Sequence, residues 1–319
     1  MRQDFIFKST RQLRQSEKSQ ILELFVRIFG KSFSHALFDR KYLYTPLGYS
    51  YHGLMKVDNL IVGTYNIIPY RYRYFGKEAL FGLSVDVMID RDARCGPYSL
   101  CKMAAIVYQA MLRDDVRFVF GFPNDMAYEY TKRILHWKDI GELDFYILPL
   151  NIGSVMPRLR FMNCLSRAFA AGFINMPRFR QTAEPKYNIE KVCDKHFEAH
   201  RYDDRYVMIE VGGGGRIAYR IYTEEHGIRV LYIIDVFPLT SPFFEEAVRE
   251  LYRRHSKSID VILYVGTLPF APRLLLCVPE SKRPQRVHMC GRLLAPGVAD
   301  HRVFQIQNWN VNISNFDVR

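Results

Sequence analysis

Asp86 sits inside a long apolar run, Ala79–Ile89, and a carboxylate there can take a proton from an incoming nucleophile. Just downstream, Arg94-Cys95-Gly96-Pro97-Tyr98-Ser99 lies where a strand should give way to a helix. A glycine lets backbone approach a ligand closely, and the first amides of a helix have no partner of their own, so such a turn can hold phosphate. Arg91 and Arg94 add positive charge, although the same residues also suit an ordinary strand-to-helix turn. Further on, Phe120-Gly-Phe-Pro-Asn124 ends a second apolar run on an amide side chain, and Tyr128 and Tyr130 follow.

These residues need elements to position them. The first 45 residues read as helical, with one helix from Ser16 to Phe29 ended by Gly30 and another from Ser34 to Tyr44. The period then changes to that of strands. Tyr51–Val57 and Leu60–Pro69 flank Asp58-Asn59, and Arg71–Phe75 and Glu78–Asp90 flank Gly76-Lys77, which gives an antiparallel meander. A helix from Pro97 to Leu112, a buried strand Arg117–Gly121 and a helix from Asp125 to Leu135 follow. The strands Trp137–Gly141 and Asp144–Leu150 are expected to pair and close this unit.

Residues 151–195 read as a connector carrying a basic amphipathic helix, Leu159–Phe173, with Arg158, Arg160 and Arg167 beside Phe161, Leu165 and Phe169. The second half repeats part of the first: Tyr206–Val211, Arg216–Tyr222, Ile228–Phe237, a helix Pro242–His255 and a strand Ile259–Val265. Ile234-Asp-Val-Phe237 echoes Val85-Asp-Val-Met-Ile89, a weak internal duplication. Strands flank Gly212–Gly215, so it reads as a hairpin turn and not a phosphate loop; the tail from Phe304 reads as a closing strand.

The chain has 319 residues, a formal net charge of +12 and an apolar fraction of 49%, which favours two globular domains with a surface that attracts anions. Its basic residues are dispersed and form no long run, which argues against nucleic acid. The 6 cysteines form no CxxC pair and no zinc spacing, so no metal is expected. The start of the chain shows no signal peptide and no stretch is apolar enough to span a bilayer, so a cytoplasmic, at most peripheral, protein is expected.

On the residues quoted above, the first half resembles the GCN5-related N-acyltransferase (GNAT) superfamily of bacterial and other enzymes. Ser84 to Leu100 is similar to the family's fourth strand and pyrophosphate loop. Phe120 to Asn124, Ala127 and Trp137 are similar to its fifth strand, the asparagine after it and a closing aromatic. The family loop reads Gln/Arg-x-x-Gly-x-Gly/Ala. With Arg91 as its start, Arg94 stands at the first glycine; with Arg94 as its start, Pro97 does, and proline removes an amide donor.

The resemblance implies an α/β (α+β) fold: a mixed, mostly antiparallel sheet flanked by helices over 1–150, the connector over 151–195, and a smaller, degenerate GNAT-like domain over 196–319. It implies transfer of an acyl group, by preference acetyl, from acyl-CoA to a primary amine on a small molecule or peptide, with an amino sugar of surface-polysaccharide assembly preferred. The alternatives are a longer acyl chain delivered by CoA or acyl-carrier protein, and a non-catalytic binding module. The backbone of Val87 and Ile89 would hold the pantetheine arm and an amide near Met88 would polarise the thioester. Arg94, Cys95, Gly96, Pro97, Tyr98 and Ser99 would hold the pyrophosphate, and Asn124 would sit beside the pantetheine. Asp86 would act as base. Tyr130 would protonate the leaving thiolate, with Tyr128 its neighbour and Thr131 at the counted position.

Overall fold

A computed structural model describes residues 3–93, 97–155, 161, 163–177, 187–212 and 214–316. The chain divides into two units, neither of them a continuous stretch. The first comprises 1–142, 188–201 and 286–309; the second comprises 143–187, 202–285 and 310–319.

The first unit opens with a strand, β1 (Gln3–Ser9), and not with the helix that the sequence suggests for the first 45 residues. Phe5, Ile6 and Phe7 form a short apolar run between Asp4 and Lys8, and β1 pairs antiparallel with β2 (Tyr51–Val57) along its whole length. Between them lie α1 (Gln15–Phe29) and α2 (His35–Tyr42). Gly30 at φ 66° ends α1, and the Ser34 side chain caps α2 by accepting the Leu37 amide at 3.2 Å.

β3 (Leu60–Tyr74) and β4 (Lys77–Ile89) continue the meander, and β3 is one long strand, not two. Asp58 and Asn59 both take positive φ, as a tight two-residue hairpin turn requires. α3 (Pro97–Arg113), β5 (Val116–Gly121), α4 (Asp125–Leu135) and β6 (Lys138–Glu142) follow in the expected order. α3 lies close against β2 because Gly53 has no side chain: a Cβ there would stand 2.6 Å from the Met103 carbonyl.

β7 (Asp144–Pro149) does not pair with β6, contrary to the sequence reading. It joins the sheet of the second unit. The chain continues through α5 (Ile152–Val155), α6 (Asn163–Ile174), β8 (Ile189–Lys191) and α7 (Lys195–Arg201). The expected helix Leu159–Phe173 is described from Asn163 on; residues 156–160 lie outside the described residues.

The second unit adds β9 (Val207–Val211), β10 (Gly215–Thr223), β11 (Arg229–Phe237), α8 (Ser241–His255), β12 (Val261–Gly266) and β13 (Leu276–Cys277). β14 (His288–Leu293) returns to the first sheet and inserts between β5 and β6. The sheets therefore run β1-β2-β3-β4-β5-β14-β6 and β13-β7-β12-β11-β10-β9. Both are mostly antiparallel, with parallel pairing at β4/β5 and at β11/β12.

The tail is not the strand expected from its alternation. Only β15 (Trp309–Asn310) is extended and paired, and it pairs with β8. Short 3-10 turns flank it, and its buried residues mark why the apolar spacing was there: Trp309, Val311 and Ile313 are all buried. Among the described residues, no helix is long and apolar enough to cross a membrane.

Candidate active site

β4 and β5 run parallel from Leu80↔Val116 to Ser84↔Gly121, and there the pairing stops. β5 ends at Gly121, while β4 continues through Val85–Ile89 along β3 alone. At about 3.3 Å per residue, this leaves ~16 Å of β4 edge without a strand beside it among the described residues. The two strands thus open a wedge. Asp90 donates its amide to the Val62 carbonyl at 2.8 Å, which fixes the alternation of the β3/β4 ladder. The Met88 amide then turns toward β3, and those of Val87 and Ile89 turn to the open edge. The amides available to a thioester or a pantetheine arm are therefore those of Val87 and Ile89, with Met88 set between them.

A bulge interrupts β4 at this point. Thr64 pairs Met88 and Asn66 pairs Val85, so β4 carries one extra residue, and Asp86 takes φ 45°. Such a φ is unfavourable for a non-glycine residue and needs support. Asn66 supplies it: its Nδ2 donates to the Asp86 carbonyl at 2.9 Å and to Thr64 Oγ1 at 3.1 Å. The Asn66 Oδ1 lies 2.8 Å from His52 Nδ1, and His52 Nε2 lies 2.9 Å from Thr10 Oγ1. Thr10, His52 and Asn66 are all buried. A buried polar chain from Thr10, just after β1, through β2 to β3 thus holds the bulge, and nothing in the sequence spacing points to it.

Burial lowers the pKa of His52 to about 4, with the Asn66 contact opposing and the Lys18 charge assisting. The unfolded chain binds this proton with a pKa near 6.5. Stability should therefore be full above about pH 6.5, decline as the pH falls toward 4, and level off below. The loss from His52 is about 3 kcal/mol. His200, partly buried and lowered to about 4 mainly by desolvation, acts in the same direction. Urea unfolding between pH 7 and pH 4.5 checks this, and a flat stability over that range would contradict it.

Asp86 projects to α2. Tyr42 donates its hydroxyl to Asp86 Oδ2 at 2.5 Å, and Lys41 Nζ lies 2.6 Å from the same oxygen. The carboxylate is 7% exposed, so the ion pair is largely withdrawn from solvent. Both contacts fall on Oδ2, leaving Oδ1 without a partner among the described residues. Lys41 and Tyr42 were not singled out in the sequence, because α2 precedes Asp86 by two strands and its facing side is set only by the fold.

At the start of α3, Ser99 is buried and its hydroxyl has no hydrogen-bond partner among the described residues. A buried, unpartnered hydroxyl costs free energy unless a ligand meets it. It sits in the first turn of a helix, where amides are also free to bind an anion. Tyr98 beside it is 55% exposed, with the Lys102 ammonium 5.2 Å from its ring centroid. Lys102 adds a positive charge one turn into α3 that the sequence reading missed. Arg94, Cys95 and Gly96 lie outside the described residues, and Pro97 is described as the first residue of α3.

On the β5 side, Asn124 caps α4: its Oδ1 accepts the Ala127 amide at 2.9 Å, and the residue is exposed. Of the residues considered for proton donation, Thr131 gives its hydroxyl to the Ala127 carbonyl at 2.7 Å. Tyr128 gives its hydroxyl to Asp139, receives Lys132 at 3.3 Å and stacks on His288 at 4.1 Å. Burial and the Asp139 contact hold the Tyr128 phenol above its ordinary pKa. Tyr130 is 58% exposed, with no partner among the described residues. Its phenol is the one left free.

The second unit has a corresponding opening, and its own chain fills it. β11 pairs β12 only from Val230↔Val261 to Ile233↔Tyr264, yet runs on to Phe237. Thr267 donates its amide to the Val311 carbonyl at 2.8 Å. Asn312 Nδ2 and the Ser314 hydroxyl donate to the two oxygens of buried Asp235 at 2.9 and 2.7 Å. Asp235, the echo of Asp86 in sequence, is thus a satisfied structural carboxylate.

No sequence-family description matches the chain, and no curated protein matches it by sequence. Solved structures do. A GCN5-related N-acetyltransferase from Anabaena variabilis superposes with a TM-score of 0.59 at 14% identity, over 91% of this chain and 73% of that one. Another from Kribbella flavida gives 0.59 at 12% identity, over 92% and 71%. The chain has the GNAT fold. The resemblance read from Ser84–Leu100 and Phe120–Asn124 is borne out at the level of fold, and the wedge, the β4 bulge and the start of α3 are where the GNAT resemblance put the cofactor.

Proposed function

We propose that the first unit is an acyl-CoA-dependent N-acyltransferase acting on a primary amine. The observation that carries this is the wedge beyond Ser84, where β4 runs on past the end of β5 and carries the bulge at Asp86. The open edge at Val87 and Ile89 suits the amide-bearing pantetheine arm, and Asn124, at the cap of α4 beyond the end of β5, offers an exposed side-chain amide. Ser99, the α3 amides and the charge of Lys102 suit the pyrophosphate, together with Arg94, Cys95 and Gly96 by their place in the sequence.

In this reading Asp86 Oδ1 takes a proton from the acceptor ammonium, directly or through a water. The freed amine attacks the thioester carbonyl, whose oxygen is met by a strand amide. The C–N bond forms, the C–S bond breaks, the thiolate leaves with a proton from Tyr130, and the second proton of the attacking nitrogen passes through water to restore the Tyr130 phenol. Lys41 and Tyr42 hold the carboxylate in place through Oδ2. An acetyl donor and an amino-sugar acceptor remain the preferred pair, in the cytoplasm.

Because the tail fills the opening of the second unit, one acyl-CoA should bind per chain. Calorimetric titration with acetyl-CoA, longer acyl-CoAs and acyl-carrier protein tests this. A stoichiometry of one with acetyl-CoA is expected. A response to carrier protein alone would replace the donor, and silence with all three would sink the enzyme reading.

A further inference from the structure

We propose that the second unit binds a small phosphate monoester in a cavity between α6 and the end of α8. Leu150, Arg167, Ala170, Tyr252, Ser256 and Lys257 line an open cavity of about 200 Å³. Leu150 and Ala170 are buried and form its apolar part, while Arg167 and Lys257 are exposed. Arg167 is held but not neutralised. Its Nε donates to Asn151 Oδ1 at 2.8 Å, and Asn151 Nδ2 donates in turn to Asp260 Oδ1 at 2.9 Å. Asn151 and Asp260 are both buried, and the Asp260 carboxylate also accepts from the Ser154 hydroxyl at 2.9 Å and from the Arg229 amide at 2.8 Å. A neutral amide therefore stands between the arginine and the acid of this network. The guanidinium is fixed through Nε, and its two terminal nitrogens have no partner among the described residues. An arginine with a structural role meets a carboxylate with that fork; here the fork is oriented and left open.

Charge and donors name the ligand. Arg167 and Lys257 line the cavity and no acid does, which matches a dianion. Lys257, and the hydroxyls of Tyr252 and Ser256, also have no side-chain partner among the described residues. The C-terminal end of α8 lies at the cavity and brings about half a negative charge, which either cation outweighs. A planar fork, an ammonium and two hydroxyls can serve the three terminal oxygens of a phosphate monoester, where a carboxylate offers only two. The apolar part at Leu150 and Ala170 suits carbon beside the phosphate. Pockets for larger ligands run from roughly 300 Å³ upward, so a monoester of a few carbons fits better than a nucleotide. This site is independent of the donor site proposed for the first unit.

Calorimetric titration of the full chain with phenyl phosphate at physiological salt tests this. One saturable site is expected, and saturating acetyl-CoA should leave it in place. Lys257→Gln, a change on an exposed side chain, should weaken binding about tenfold with the unfolding midpoint unchanged. Arg167→Gln should weaken it about tenfold or more, and Arg167→Lys, which keeps the charge without the fork, should recover only part of the loss. Benzoate, with the same ring and one charge fewer, should bind about tenfold or more weakly than phenyl phosphate. Absence of saturable binding would overturn the proposal, as would benzoate binding equally well. Binding that Lys257→Gln and Arg167→Gln both keep would reduce it to a general attraction to the +12 chain, and displacement by acetyl-CoA would move the phosphate to the first unit.

Discussion

Asp86→Asn is expected to slow acyl transfer by about two to four powers of ten while acetyl-CoA binds as to the wild type. Asparagine keeps the size of the side chain and can still accept from Tyr42, but it cannot take a proton from an ammonium. The pantetheine contacts assigned above are backbone ones at Val87 and Ile89, so the donor should be held unchanged. The substitution also leaves Lys41 beside a neutral amide in a site only 7% exposed at Asp86, and some stability should be lost with it. Two readouts separate a base from a structural ion pair. The loss should fall on kcat and not on the KM for acetyl-CoA. Raising the pH, which delivers the acceptor amine already deprotonated, should restore part of the rate. A variant that turns over at the wild-type rate would remove Asp86 as the base and leave it a partner of Lys41 alone.

What could be read from the sequence was local. The apolar alternation of Ala79–Ile89, the turn at Asp58-Asn59 and the stop at Gly30 each depend on neighbours in the chain, and each is found in the structure. β1 is not legible because its apolar run, Phe5 to Phe7, is only three residues long and precedes a stronger helical pattern. The parting of β6 and β7 was not legible either. Each has the composition of a strand, but composition does not say which sheet a strand joins. The site shows the same limit. Asp86 and Ser99 were visible as residue types in place, whereas the φ of Asp86, its support by Asn66 and His52, and its pairing with Lys41 arise from register and from a helix distant in sequence. The tail differs for a related reason: Trp309, Val311 and Ile313 alternate because they are buried, and burial in 3-10 turns gives the same spacing as a strand.

Trp309→Ala should cause the largest loss of stability, about 3–5 kcal/mol. The indole is fully buried, and the rings of Tyr72, Phe81, Phe118 and Phe120 surround it with centroids 5.4 to 6.0 Å away. Its Nε1 donates to the Val303 carbonyl at 2.8 Å. Alanine would leave a cavity among four rings that cannot close it and would strand a buried carbonyl, and both add to the cost. Trp309→Phe keeps most of the apolar contact but not the hydrogen bond, so a smaller loss of about 1–2 kcal/mol is expected. Urea unfolding measures both, and a loss under about 1 kcal/mol for alanine would show that the rings repack without the indole. The substitution also reaches function. The four rings stand on β3, β4 and β5, and the wedge exists only while β4 and β5 hold their pairing up to Ser84↔Gly121. If that pairing depends on the aromatic cluster, acetyl-CoA should bind more weakly to the alanine variant even where it is still folded. Undiminished binding by the folded fraction would show that β14, β3 and the polar chain through His52 are enough to keep the wedge in shape.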